Sequence, residues 1–442
     1  MGKPVLPYLY GRQKNKVKAK DLKILILTYY WPPSGGSGVQ RWMYFAKYLK
    51  QLGHDPIVIT VDETQASYPV LDTSLTKEVE GIRVVKTSTR EPLRWYSRLI
   101  SGDTQKGIPQ GAVQTKSIFG KLTAYIRGNF FIPDARKGWV PFAIKAAEEV
   151  IVKNQITHLI TTGPPHSTHL AGLELKEAFK LKWWVDFRDP WTDIFYNTAL
   201  YRTQKTVAKD QALERKVLQK ADGIMTTVAG ILQDQLKIKT SNKPFVSIPN
   251  GYDADLMEQT EAAPKKKGFH IVYTGLLTQN QEYKKLLTAI NQVSNHSTIY
   301  FSLAGNISPT IISEIKSNLP KVKVDYIGYL PHNKAIALMK SADLLLNFIF
   351  KGAENQMLSG KLIEYMATGV PVLSLGNPDS EAGRLLDLGT AAKMIEKEDT
   401  SKILAFLEKA EKQKGEWINS FPQKSNLSRK GTTQNLIEAL FT

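Results

Sequence analysis

Four segments of the chain combine residue types that handle anionic or hydroxyl-bearing ligands. The fullest is Ser359-Gly360-Lys361-Leu362-Ile363-Glu364-Tyr365-Met366-Ala367-Thr368-Gly369-Val370-Pro371-Val372. Ser359 stands where an N-cap would, and the helix it opens is expected to carry Glu364. The free N–H groups of Gly360 and Lys361, with the helix dipole, suit a diphosphate, and the Lys361 ammonium adds a point charge. Glu364 lies about one turn further on, placed to accept hydrogen bonds from ribose hydroxyls. The plain alternative is a capped helix with a solvated glutamate. The Ala-Thr-Gly-Val-Pro-Val exit into a buried strand weighs against it.

The other three segments lie earlier. Tyr29-Tyr30-Trp31-Pro32-Pro33-Ser34-Gly35-Gly36-Ser37-Gly38 leaves an apolar run and opens a helix. Its glycines, Gly35 and Gly36 first among them, let backbone approach a ligand closely. The dinucleotide spacing G-x-G-x-x-G is missing, which disfavours nicotinamide and flavin. Gly163-Pro164-Pro165-His166-Ser167-Thr168-His169 presents His166 or Ser167 from a stiffened loop, with a structural histidine as the even alternative. Asp186-Phe187-Arg188-Asp189-Pro190-Trp191 offers Asp189 as a polar anchor, or else an ion-pair network around Arg188. His166 and Asp189 are the catalytic candidates.

Each segment follows a short apolar run, and such runs are what parallel strands buried on both faces look like. They are expected at 23–29, 56–61, 82–86, 158–162, 183–187, 223–227 and 246–249. A second series is expected at 270–274, 298–304, 322–328, 344–348 and 370–374, with helices between. This alternation predicts α/β, doubly wound parallel sheets. In such sheets ligands bind beyond the carboxyl ends of the strands. The expected organisation is a basic arm at 1–20, an acceptor-side domain at 21–256, a polar linker at 257–268, a nucleotide-binding domain at 269–425, and a final helix within 426–442 that crosses back to the first domain.

The 442 residues exceed one ordinary core. No apolar run is long enough to span a bilayer, and the basic, polar start lacks the apolar stretch of a secretory signal. There is no cysteine, which excludes disulfides, thiolate metal sites and cysteine nucleophiles. The formal net charge of +18 implies phosphorylated ligands, anionic lipid or nucleic acid as company. No base-reading module is visible, so nucleic acid is not an expected partner.

Ser-x-Lys-x-x-Glu-Tyr-x-Ala-x-Gly-x-Pro-Val resembles the donor-binding helix of family 4-like glycosyltransferases of the GT-B fold. Tyr-Tyr-Trp-Pro-Pro-x-Gly-Gly, Asp-Phe-Arg-Asp-Pro-Trp and Ile248-Pro249-Asn250-Gly251-Tyr252-Asp253 resemble the same family, so the likeness covers nearly everything from Lys23 onward. It implies two Rossmann-like domains facing a central cleft. It implies a sugar nucleotide as donor substrate, a hydroxyl acceptor that is lipid-linked or a saccharide, and retention at the anomeric carbon. It further implies no tightly bound cofactor, no metal, and a role in bacterial cell-envelope polysaccharide or glycolipid synthesis. The implied location is cytoplasmic, peripheral on the inner membrane face. A sugar-nucleotide epimerase on the same fold is the alternative.

There are departures. The family's first glutamate, separated from the second by seven residues, is replaced here by Gln356, with Glu354 two positions further off. A subset of the family also lacks it. The phosphate-binding arginine after the first strand of the second domain is replaced by Gly275-Leu276-Leu277, leaving Lys284 or Lys285 as the nearest cation. Finally, Ile118, Phe119, Leu122, Tyr125 and Ile126 share one face at helical spacing, flanked by Lys116, Lys121 and Arg127. Such a face suits a membrane interface, with Phe119, Leu122 and Arg127 as its contact residues; the alternative is packing on the first domain's core.

Overall fold

The computed structural model describes the chain except residues 1–21, 69, 92–117, 195–196, 198–199, 241, 352–357, 423 and 442, and except the side chains of residues 37, 118–120, 123 and 231. The basic arm, Glu354, Gln356, Lys116 and the Phe119 side chain therefore lie outside the described residues.

The described strands form two parallel sheets. The first runs β1 (Lys23–Leu27), β2 (Asp55–Val61), β3 (Arg83–Thr87), β4 (His158–Gly163), β5 (Lys182–Phe187), β6 (Gly223–Thr226) and β7 (Phe245–Ser247), in spatial order β3-β2-β1-β4-β5-β6-β7. The second contains β8 (Phe269–Thr274), β9 (Ile299–Ala304), β10 (Lys323–Gly328), β11 (Leu344–Phe348), β12 (Val372–Leu375) and β13 (Ala392–Ile395), in order β10-β9-β8-β11-β12-β13. In both sheets the chain starts mid-sheet and winds first to one side, then to the other. That is the Rossmann-like winding the alternation predicts.

Composition explains which strands are central. β1, β8 and β11 are almost wholly buried, as helix-covered strands must be. β10 alternates exposed and half-buried positions and carries Lys323 and Asp325, charges that guard a sheet edge against pairing. β13 was not expected, because Ala392-Lys393-Met394-Ile395 is too short and mixed to stand out.

Among the described residues, one compact unit runs to Ile248 and resumes at Thr433; the other is Pro249–Thr432. Residues 254–259 form a helix, and Lys340 Nζ donates to the carbonyls of Met257 and Thr260 at 2.6 and 2.7 Å. The last helix, Arg429–Phe441, brings Leu436, Ala439 and Leu440 into the core that Ile24, Ile26 and Ile160 build around the first sheet.

Candidate functional site

In the first unit, β4 and β5 end side by side, with Thr162 opposite Asp186 and Gly163 opposite Phe187. Asp186 is fully buried. It accepts from Arg41 Nη2 at 2.8 Å, Trp42 Nε1 at 2.6 Å and Thr162 Oγ1 at 2.8 Å. Burial alone would raise its pKa, but the Arg41 guanidinium and these donors hold it below the usual carboxylate value. Arg188 has another task. Its Nε donates to the Gly163 carbonyl at 3.2 Å, and its Nη groups donate to the carbonyls of Gly38 and Pro164. One side chain thus ties the Gly-rich turn to the proline loop. A Cβ at Gly38 would lie 2.6 Å from Arg188 Nη1, so that close approach requires glycine.

His166 stacks on Trp191 with ring centroids 5.1 Å apart and planes 4° from parallel. Neither ring nitrogen meets strict hydrogen-bond geometry with a described residue, and the Pro190 backbone is the polar group that acts on the ring. Burial, with His169 and Arg188 nearby, holds its pKa well below the ordinary histidine value, so the imidazole is neutral at physiological pH. His169 is neutral for the same first reason, with a pKa of about 3, and bonds Thr161 Oγ1 at 2.8 Å. Asp189 makes no hydrogen bond to a described residue, and burial raises its pKa. His166 and Trp191 line a small open pocket, with Arg127, Arg202, Asp134 and Asp210 on its walls. Asp210 is bonded by Arg202 and Trp191, and Asp134 by Ser167, so both carboxylates are already engaged. Gly35 is closed in by its own chain, since a Cβ there would meet Val70 and Asp72 at 3.0 and 3.1 Å. Gly36, at φ 98°, is the open member of the pair.

In the second unit, Ser359 Oγ accepts from Leu362 N at 3.2 Å and caps the helix Gly360–Thr368. Tyr365, in the next turn, accepts from the Thr274 backbone N–H at 2.8 Å and so fixes this helix against the carboxyl end of β8. Gly360 has open space where a side chain would be. Lys361 Nζ lies 4.2 Å from the Tyr273 ring centroid and 5.9 Å from that of Tyr365. No described carboxylate pairs with it. Desolvation brings its pKa down to about 7. Glu364 Oε1 accepts from His332 Nε2 at 2.8 Å.

The structure therefore brings Ser359, Gly360, Lys361 and Glu364 together on one helix, and sets His166 and Asp189 at adjacent strand ends. Lys284, the first residue of the helix Lys284–Val293, has a side chain 71% exposed and paired with Glu314 at 2.6 Å. Leu122 is 54% exposed, in a helix that also exposes Tyr125 and Phe130. Arg41 and His332, the partners of Asp186 and Glu364, escaped the sequence reading because each lies far from its partner in the chain. Among the described residues, no group of three or more histidines and carboxylates suits a metal, and no helix is long and apolar enough to cross a membrane.

Two such parallel, Rossmann-like sheets define a class, the GT-B fold used by glycosyltransferases. Residues 268–408 match the family model for glycosyl transferases group 1. A glycosyltransferase from Rickettsia africae ESF-5 superposes with TM-score 0.60 at 15% identity, covering 96% of this chain and 98% of that one. Sucrose-phosphate synthase from Thermosynechococcus elongatus gives 0.59 at 13% identity, covering 95% of each chain. Anabaena Alr3699/HepE in complex with UDP-glucose gives 0.53 at 12% identity, again covering 95% of each. No curated protein matches the chain by sequence.

Proposed function

We propose that the protein transfers a sugar from a nucleoside diphosphate donor to a hydroxyl acceptor, with retention of anomeric configuration and without a metal. The observation that carries this reading is Lys361, a desolvated cation with no described carboxylate partner, beside the open N-terminus of the helix Gly360–Thr368. A diphosphate supplies the missing negative charge and takes the free N–H groups. In the reaction, the bond from the anomeric carbon to the diphosphate oxygen breaks, a bond to the acceptor oxygen forms on the same face, and the acceptor hydroxyl gives its proton to the departing diphosphate oxygen. Lys361 and the helix N-terminus stabilise the charge that grows on the departing diphosphate. Glu364 receives the ribose hydroxyls. The neutral His166 imidazole hydrogen-bonds the hydroxyl-bearing ligand in the pocket beside Trp191, and Asp189, at the adjoining strand end, is a second polar anchor for that ligand.

Calorimetric titration with UDP, GDP and ADP tests the donor side; no heat from any of them removes the reading. Donor incubated alone separates transfer from epimerisation, since an epimerase isomerises it without acceptor. Transfer lost to a chelator and restored by magnesium or manganese ends the metal-free form of the proposal. We further place the acceptor in cell-envelope polysaccharide or glycolipid synthesis, with the protein held on the inner membrane face through the helix Ile118–Phe130. Its exposed Leu122, Tyr125 and Phe130, beside Lys121 and Arg127, support this. Sedimentation with anionic vesicles at low salt, reduced by Phe130→Ser, checks it; indifference to the vesicles moves the acceptor to solution.

A further inference from the structure

We infer that His332 is a positioning residue for the nucleotide's sugar, setting Glu364 so that the site prefers ribose to 2′-deoxyribose. The inference rests on the proposed role of Glu364 and extends it to a residue that the motif does not contain.

The geometry is local to the second unit. Glu364 is on the helix Gly360–Thr368, whose backbone is held by the Tyr365 hydroxyl against Thr274 and by the Ser359 cap. Those contacts fix the Cα of Glu364 but not its carboxylate, which sits at the end of a long side chain with several rotamers. His332 supplies the missing constraint. It is the first residue of the helix His332–Lys340, thrown forward after Gly328, at φ 82°, and Pro331. Its Nε2 lies 2.8 Å from Glu364 Oε1. A carboxylate accepts only, so Nε2 carries the hydrogen and Nδ1 is left free of that bond. Oε1 keeps a second lone pair and Oε2 keeps both, which leaves acceptor capacity for two neighbouring hydroxyls. The Glu364 side chain is 18% exposed and that of His332 36%, so the carboxylate is the more enclosed of the two and still reaches solvent.

The bland reading is that the pair merely staples two helices. The two readings part on the nucleotide sugar. A staple affects all ligands of the folded site alike; a brace on the ribose acceptor affects only ligands that carry the hydroxyl. The experiment compares UDP, GDP and ADP with their 2′-deoxy counterparts by calorimetry on wild type, His332→Ala, His332→Gln and Glu364→Ala. Wild type is expected to prefer the ribose form of its nucleotide about tenfold, the discrimination worth roughly one charge-assisted hydrogen bond. His332→Ala is expected to lose most of that preference while binding the 2′-deoxy form within about twofold of wild type. His332→Gln keeps an N–H donor and is expected to restore the preference to within about threefold. An equal loss for both nucleotide forms, or an undiminished preference in His332→Ala, overturns the inference while leaving the proposed function standing. A preference retained in Glu364→Ala removes Glu364 from the ribose and the brace with it. Absence of nucleotide binding in wild type overturns both readings together. Thermal melts of each variant confirm that the folded protein is being compared.

Discussion

The two units treat buried charge in opposite ways. At the end of β5, Asp186 has every bond that it needs: a guanidinium, an indole and a hydroxyl, all from its own unit. At the end of β8, Lys361 has aromatic faces and no described counter-ion. The first arrangement is complete without a ligand, so its output is shape: Arg41 and Arg188 hold the loops that carry Gly38 and His166. The second is incomplete until an anion arrives, so its output is affinity. A charge whose partners all lie within the fold is scaffolding, and a charge that costs stability until a ligand neutralises it is a site.

The largest expected effect comes from breaking the complete network. Asp186→Ala leaves Arg41 buried without its carboxylate and should cost ~3–5 kcal/mol of stability, measured by urea unfolding. A loss of under about 1 kcal/mol would mean that Arg41 finds other partners and that the contrast between the two units fails. In the second unit the effects should fall on binding. Glu364→Ala should weaken nucleoside diphosphate binding by ~1.5–3 kcal/mol with little change in the melting temperature. Unchanged affinity takes Glu364 out of the site.

Lys361 gives a pH test. Burial brings its pKa from the ordinary lysine value of 10.5 down to about 7 in the folded protein. Between those two values the unfolded chain holds a proton that the folded chain lacks, so the lysine's contribution to stability rises with pH across that window. A bound diphosphate restores the proton. Binding should therefore take up protons above pH 7 and weaken by up to about tenfold per pH unit. Calorimetry in buffers of different ionisation heat measures the uptake, and Lys361→Met should abolish it. Equal uptake in that variant would assign the proton to another group. The smallest effect belongs to the cap: Ser359→Ala should cost about 1 kcal/mol of stability, since the Leu362 N–H loses its acceptor. If that variant also weakens nucleotide binding while Asp186→Ala does not, per folded molecule, the division of labour is sharpened.

The winding of both sheets was legible because continuous apolar runs and intervening amphipathic stretches are local properties. β8 and β11 lie within a residue of expectation for this reason, whereas β13, with Lys393 inside four residues, carried no such signal. The local chemistry of Ser359 was equally readable, since a cap and its target are three residues apart. What stayed hidden was pairing across the fold. Arg41 meets Asp186 from 145 residues away, and His332 meets Glu364 from 32 residues away. Adjacency along the chain put Arg188 between two carboxylates, and it does feel the charge of both Asp186 and Asp189; the strand geometry adds that its donors turn to the backbone of two other loops. Lys284 seemed a nearby cation on sequence distance alone, and its contact with Glu314 belongs to the helix surface.

The final helix has a consequence for how the molecule is made. Leu436, Ala439 and Leu440 fill the core around β1 and β4, yet they leave the ribosome after every residue of the second unit. During synthesis the first sheet must wait, with part of its apolar surface uncovered, while the second unit emerges and has the opportunity to fold. Vectorial production thus favours completion of the later-made unit first and leaves the earlier one dependent on the tail for closure. Ribosome-bound chains arrested just before Leu436 should expose this order as protease sensitivity concentrated in the residues before Ile248.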